Sequence, residues 1–317
     1  MTAARNAGVD AGSDRVGSGR TVPLAPVPAH PARLVYLGTP DVGVAPLRAL
    51  VAAGHDVAMV VSRVDKRRGR GSELSPSPVK AAAVELGLPV SHDVADVVGV
   101  GADLGVVVAF GQLIRRPVLE SLPMVNLHFS LLPRWRGAAP VERALLAGDE
   151  VTGVCVMQLE EGLDTGPVFA TGVVEIAPDA TLRTLRDELV ELGTEMLLDQ
   201  LTTGFGRPSP QVGESTYAAK IDPSELQLDW SRPAVELDRT VRLGGAWTTF
   251  RGRRLKVLAA EVVLGGHGEA GALDGPCVGT GAGMLRLALL QPEGKAAMAV
   301  QAWLNGAHPT SDDRLGP

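Results

Sequence analysis

Three residues have the types and spacing for chemistry on a carbonyl. Asn126 and His128 stand two apart in an apolar run, and Asp164 lies in the tight loop Gly162-Leu-Asp164-Thr-Gly166. Side chains two apart on a strand point the same way, so Asn126 and His128 share a face. Asn offers an N–H donor, and His can donate a hydrogen bond or take up a proton. Together they suit a carbonyl whose oxygen becomes negative during attack. Asp164 is placed to orient His128 and to accept a proton, directly or through water. Each residue alone has an ordinary structural reading, and an Asp between glycines is commonly a turn former. No GxSxG elbow or HExxH zinc motif accompanies them. The chemistry indicated is acyl transfer between two bound substrates, with no covalent enzyme intermediate and no metal.

Such residues need a rigid floor. Leu34–Leu37 is predicted as a strand ending in Gly38-Thr39-Pro40-Asp41, followed by a helix closing at Gly54 and a strand at Val57–Val61. This is a βαβ opening on a parallel sheet. A short helix at Pro78–Gly87, a short strand at Leu88–Ser91 and a fully apolar strand at Leu104–Phe110 extend it. Val125–Phe129 is the next strand, and Thr181–Leu201 is a long amphipathic helix with a Leu and Met stripe. The fold class expected is therefore α/β, Rossmann-like, with ligands at the carboxyl ends of parallel strands. The first turn lacks GxGxxG, so no dinucleotide fingerprint is present.

The 317 residues suit two domains. Residues 1–32, rich in Ala, Gly, Pro and Val, read as a disordered extension, 33–203 as the catalytic domain and 204–214 as a linker. Residues 215–317 change style. A helix at Ala234–Leu243 and short strands at Leu255–Val263, Gly275–Gly279 and Leu285–Leu290 suit a smaller β-rich domain.

Net charge is −6, which argues against a general nucleic-acid coat protein. The two cysteines, Cys155 and Cys277, lie far apart in apolar runs and fit buried thiols in the cytoplasm. No run approaches the ~20 apolar residues of a membrane span. Positive charge is nonetheless concentrated. Residues 63–80 carry six basic side chains (Arg63, Lys66, Arg67, Arg68, Arg70, Lys80) against Asp65 and Glu73. Arg239, Arg242, Arg251, Arg253, Arg254 and Lys256 form a second group without an acid among them. A solvated surface is the plain reading of either; a basic segment in each domain of an acidic protein also fits an enzyme that grips RNA.

At these residues the chain resembles the folate-dependent formyltransferases. Asn-x-His followed by Ser130-Leu131-Leu132-Pro133, with the later Asp in a Gly-rich loop, carries the resemblance. The narrower match is to the methionyl-tRNA formyltransferase branch, through SLLPRWRGAAP (130–140), TGVCVMQLEEGLDTG (152–166), LGTPDVG (37–43), GRG and LSPSPVK (69–80), VVAFG (107–111) and LLQPEGKAAM (289–298). The resemblance implies transfer of the formyl group of 10-formyltetrahydrofolate to methionine on initiator tRNA. It implies Asn126, His128 and Asp164 as the catalytic trio, and Ser130, Leu131, Leu132 and Pro133 as lining for the folate. The main chain at Gly111, Gln112, Leu113 and Ile114 would cradle the pterin. Arg67, Arg68 and Arg70 on the inserted loop, with Lys220 and Arg242, would meet tRNA, and the second domain would be OB-like. A monomer without a metal is expected.

Two positions depart from that pattern. Phe129 stands where the family usually has a small residue, and either reshapes the folate wall or packs beneath it. Leu243-Gly-Gly-Ala-Trp247 replaces an expected Asn-Pro-Trp-Pro element. A formyltransferase for an amino sugar or ribonucleotide would share the trio but not need the basic segments. A non-catalytic RNA-binding module would need the basic segments but not the trio.

Overall fold

Strands form where the apolar runs lie, and the helices between them carry the matching apolar stripes. In the computed structural model, which describes residues 24–67 and 74–316, β1 (Arg33–Gly38) leads through α1 (Val44–Ala52) to β2 (Asp56–Val61). A hairpin of β3 (Lys66–Arg67) and β4 (Leu74–Ser75) precedes α2 (Pro78–Glu85) and β5 (Val90–Ser91). Then come β6 (Leu104–Val108), α3 (Arg116–Ser121), β7 (Met124–His128), β8 (Arg136–Gly137) and α4 (Pro140–Ala147). The domain ends with β9 (Val151–Gln158), β10 (Val168–Glu175) and α5 (Leu182–Thr203), which Thr181 caps through its side chain.

These strands make one sheet in the order β5-β2-β1-β6-β7-β9-β10, parallel through β7 and antiparallel beyond it. The winding reverses between β1 and β6, which creates the crevice where open α/β sheets hold ligands. The loops leaving those two strands meet there, with the Thr39 hydroxyl donating to the Phe110 carbonyl at 3.1 Å.

Alternation assigns the faces. Leu34, Tyr36, Val106 and Val108 pack with Leu47, Leu50, Leu185 and Leu189 in one core. Val35, Leu37, Leu119 and Met124 pack in the core on the opposite face. On β7, Val125 and Leu127 enter the first core, and Phe129 continues their alternation into it at 9% exposure. Asn126 and His128 therefore point to the opposite face from Phe129. The Phe129 ring lies beneath the sheet and not in a ligand wall.

Residues 1–23 of the expected extension lie outside the described residues. Residues 24–32 correct that expectation. Leu24 and Val27 pack against the two cores, and the Ala29 carbonyl accepts from Phe205 N–H at 2.8 Å. Their apolar side chains and this backbone bond hold them to the domain.

The connecting segment is well tied. Phe205 is buried edge-to-face against Phe169, and Ser209 and Val168 exchange backbone hydrogen bonds of 2.8 Å. It runs into β11 (Tyr217–Ala218), which pairs parallel with β8.

The second domain has α6 (Ala234–Leu243) and the strands β12 (Trp247–Phe250), β13 (Arg253–Val263), β14 (Leu273–Asp274), β15 (Cys277–Gly279), β16 (Met284–Pro292) and β17 (Met298–Ala299). The sheet is antiparallel, in the order β12-β13-β16-β15-β14, with β17 on β16. Leu237 and Val241 of α6 pack on Leu255, Val257, Leu285 and Leu287. The sequence reading missed α7 (Val300–Ala307), which docks through Trp303 edge-to-face on Phe250. Arg143 of α4 bridges the domains, donating to Glu225 through both terminal nitrogens and to the Ala219 carbonyl. Among the described residues, no helix is long and apolar enough to cross a membrane.

Candidate active site

Asn126 and His128 sit near the carboxyl end of β7, buried to 9% and 5% exposure. Among the described residues, no hydrogen bond engages the Asn126 side-chain amide, which leaves its donors available to a ligand. His128 is held on both edges. Its Nε2 lies 2.8 Å from the Trp135 carbonyl, and its Nδ1 lies 3.6 Å from Asp164 Oδ2. A carbonyl only accepts, so Nε2 carries a hydrogen and donates it. That bond fixes the ring and leaves the Nδ1 edge for the carboxylate and the cleft.

Asp164 takes φ +50°, in the left-handed region that Asp tolerates better than most residues. Its Oδ2 also accepts from Gly137 N–H at 2.8 Å. The glycines around it have local causes. A Cβ on Gly166 would lie 1.9 Å from the Gln158 carbonyl oxygen, and one on Gly137, at φ +119°, would press on Tyr217 and the Ala218 carbonyl. The chain can therefore bring Gly137 N–H under the carboxylate only if that residue has no side chain.

The Trp135 carbonyl that anchors His128 is itself positioned. Asp149 accepts from Arg134 at 2.9 and 2.5 Å and from the Trp135 indole N–H at 2.7 Å, and the Arg134 guanidinium stacks 4.5 Å over the indole. Hydrogen bonding to Asp149 raises the Arg134 pKa further. Thr216 Oγ1 accepts from Trp135 N–H at 2.8 Å. Arg134-Trp135-Arg136 stands within the motif at 130–140 that the sequence singles out; Asp149 and Thr216 do not. Neither lies near the trio in the chain, and only the fold brings them to it.

The expected ligand-lining residues divide. Leu131, Leu132 and Pro133 are partly exposed along the turn after β7. Ser130 is fully buried and donates to the Arg134 carbonyl at 2.6 Å, so its hydroxyl shapes the turn and faces no cleft. Gly111, Gln112 and Leu113 are exposed, whereas the Ile114 side chain is buried in the second core because it anchors the chain leaving β6. The Arg63 guanidinium donates to the Gly111 carbonyl, which ties the base of the basic loop to this segment. Cys155, opposite His128 on β9, is buried, and burial pushes its thiol pKa up. That disfavours the thiolate form that a nucleophile needs.

The basic residues divide too. Lys66 and Arg67 are exposed on the β3–β4 hairpin, and Arg68 and Arg70 lie outside the described residues. Lys80 is paired with Asp65 at 2.8 Å. Lys220 is exposed just after β11. Arg242 differs from expectation: it donates to Asp238 and to the Ala180 carbonyl, each at 2.7 Å, which turns it into the seam between domains. Trp247 of the departing Leu243–Trp247 element lies under Arg254 at 4.2 Å. Arg253, Arg254 and Lys295 rim a groove of about 580 Å³ floored by Phe250, Met298 and Trp303.

Comparison with known proteins identifies the family and the fold. Residues 32–201 match the formyl transferase family, and residues 220–308 match the formyl transferase C-terminal domain. A methionyl-tRNA formyltransferase of Roseobacter denitrificans is 43% identical over 298 residues, 87% of this chain and 96% of its own. One from Symbiobacterium thermophilum is 42% identical over 311 residues, 90% of this chain and 95% of its own. The N-formyltransferase from Helicobacter canadensis, solved with folinic acid and dTDP-3-aminofucose, aligns with a TM-score of 0.62 at 14% identity, covering 80% of this chain and 98% of that one. HypX from Aquifex aeolicus, solved with tetrahydrofolic acid, aligns over 87% of this chain with a TM-score of 0.61 at 18% identity. This chain spans 47% of that longer protein. These two structures share the fold.

Proposed function

The chain belongs to the methionyl-tRNA formyltransferases, and on that premise we propose that it moves the formyl group of 10-formyltetrahydrofolate to the α-amino group of methionine on initiator tRNA. The observation that carries the chemistry is the convergence of His128 and Asp164, 3.6 Å apart, beside the unengaged amide of Asn126.

The attacking amine must be neutral, and an α-amino group with a pKa near ~7.7–8 is partly so at neutral pH. Its nitrogen bonds to the formyl carbon, and the formyl oxygen gains negative charge. The Asn126 amide donates to that oxygen, and His128 does so from Nδ1 when it carries a second proton there, as imidazolium beside Asp164. Asp164 holds His128 and takes the proton released by the attacking nitrogen, directly or through water. As the tetrahedral species collapses, the bond from the formyl carbon to N10 of the folate breaks, and N10 receives the proton. The products are tetrahydrofolate and the formylated aminoacyl-tRNA.

Leu131 to Pro133 and the exposed main chain at Gly111–Leu113 flank the cleft and supply surface for the folate. Lys66, Arg67, Lys220 and the groove at Arg253, Arg254 and Lys295 supply positive charge for tRNA phosphates. Transfer of labelled formyl from 10-formyltetrahydrofolate tests this reading. Initiator Met-tRNA is the expected acceptor, ahead of elongator Met-tRNA. Preference for an amino-sugar nucleotide would contradict it.

A further inference from the structure

The trio is not held in place by the catalytic domain alone. Gln211, on the segment that leads to the second domain, uses its whole side-chain amide on the site. Its Nε2 donates to the Asp164 and Gly166 carbonyls, each at 2.8 Å. Its Oε1 accepts from Arg136 Nε and Nη2 at 3.0 and 2.6 Å. The orientation of the amide is determined by its neighbours. Carbonyls only accept and a guanidinium only donates, so a flipped amide would face four mismatches.

The two segments it joins carry the two sides of His128. Arg136 lies between Trp135, whose carbonyl anchors Nε2, and Gly137, whose N–H supports the Asp164 carboxylate. Asp164 and Gly166 belong to the loop that presents that carboxylate. We propose that Gln211 is a positioning residue for the reaction: it sets the separation of Asp164 and His128, and so makes the site complete only when the interdomain segment is seated. Gln211 touches neither substrate nor reacting atoms; it acts through Asp164. The inference rests on the role given to Asp164 above.

Gln211→Glu isolates the effect. A carboxylate keeps and strengthens the contact with Arg136, but it cannot donate to the two loop carbonyls and is repelled by them. Gln211→Met keeps the volume and loses both sets of bonds. Both variants are measured in the full chain for melting temperature, for kcat and KM toward folate donor and Met-tRNA, and for the pH profile of kcat. Displacement of a reacting group by about 1 Å can cost on the order of 10²-fold. The expected result for Gln211→Glu is a kcat lowered about 10- to 100-fold, with KM values changed less than about threefold. Its pH profile should be displaced and its melting temperature close to that of the parent. A parental kcat and pH profile in both variants would overturn the proposal. So would a kcat that falls only in step with melting temperature while the pH profile stays put. Asp164→Asn is run alongside. If it is inactive while Gln211→Glu is normal, the positioning role fails and the trio stands; if it is fully active, both fail.

Discussion

His128 and Asp164 approach through Nδ1 and Oδ2 at 3.6 Å, while the opposite edge of the imidazole is closed by a backbone carbonyl. The distance exceeds that of a normal hydrogen bond. The Nδ1 edge is therefore shared between the carboxylate and the cleft. A substrate oxygen that approaches this edge meets a ring whose orientation Trp135 has already set, and which donates from Nδ1 when both ring nitrogens are protonated.

That orientation depends on Asp149. Asp149→Ala releases the Arg134 guanidinium and the Trp135 indole together, and Trp135 then holds His128 less firmly. We expect a stability loss of about 1–3 kcal/mol, as for a charged hydrogen-bonded group removed from partly buried partners. We also expect a lower kcat. Denaturant unfolding and steady-state kinetics read the two effects. Unchanged kcat would show that the ring keeps its place without Asp149.

Phe129 belongs to the core on the face opposite the trio. Phe129→Ala should cost about 3–5 kcal/mol of stability through the cavity it leaves. Per folded molecule, the KM for the folate donor should change less than about twofold, because no ligand contact is lost. A large rise in that KM, measured where the variant is folded, would put Phe129 in the folate wall after all.

The β3–β4 hairpin presents Lys66 and Arg67 to solvent. Replacing both by Ala should raise the KM for Met-tRNA and flatten its dependence on salt, since each phosphate contact contributes to the salt slope. The KM for the folate donor should not move. An unaltered salt slope would remove the hairpin from the tRNA surface.

Asp313 ties the C-terminal segment to Arg251. The Arg251 guanidinium, joined by the Thr310 N–H, holds its carboxyl well below the usual carboxylate range. A carboxyl whose pKa is lowered by folding stabilises the fold above its unfolded value. It loses that contribution as pH falls from about 3.9 toward the folded value. The melting temperature of Asp313→Asn should therefore trail the parent at pH 7 and at pH 5, and the gap should narrow at pH 3.5. A gap that is constant or widens in acid would contradict the assignment.

Much of this molecule could be read from local pattern. The apolar run at Leu104–Phe110 and the stripe of α5 announced their elements, the strand ending at Val108, because burial on one or both faces leaves a pattern in the chain. Asn126 and His128 were readable as a shared face for the same reason. Asp164 was readable both as a turn residue and as a partner for His128, and the motif around it favoured the second. Asp149, Thr216 and Gln211 left no local signal, since each acts through a side chain aimed at a group distant in the chain: Asp149 at the Arg134 and Trp135 side chains, Thr216 and Gln211 at backbone groups. Arg242 misled for a related reason. Charge is visible in a sequence, but the acid that engages it, Asp238 one turn earlier, reads equally well as a solvated helix pair. α7 was missed because its apolar residues follow β17 without a break, and only the docking of Trp303 selects a helix.

Single-turnover formyl transfer to initiator Met-tRNA by Asn126→Ala tests the proposed chemistry at its centre, with folate-analogue binding followed in parallel as a rise in melting temperature. The Asn126 side chain makes no internal hydrogen bond among the described residues, so truncating it breaks no bond of the fold and removes one donor from the reacting oxygen. The expected rate is lower by about 10²–10³ with the folate-induced rise preserved. A rate near that of the parent would contradict it.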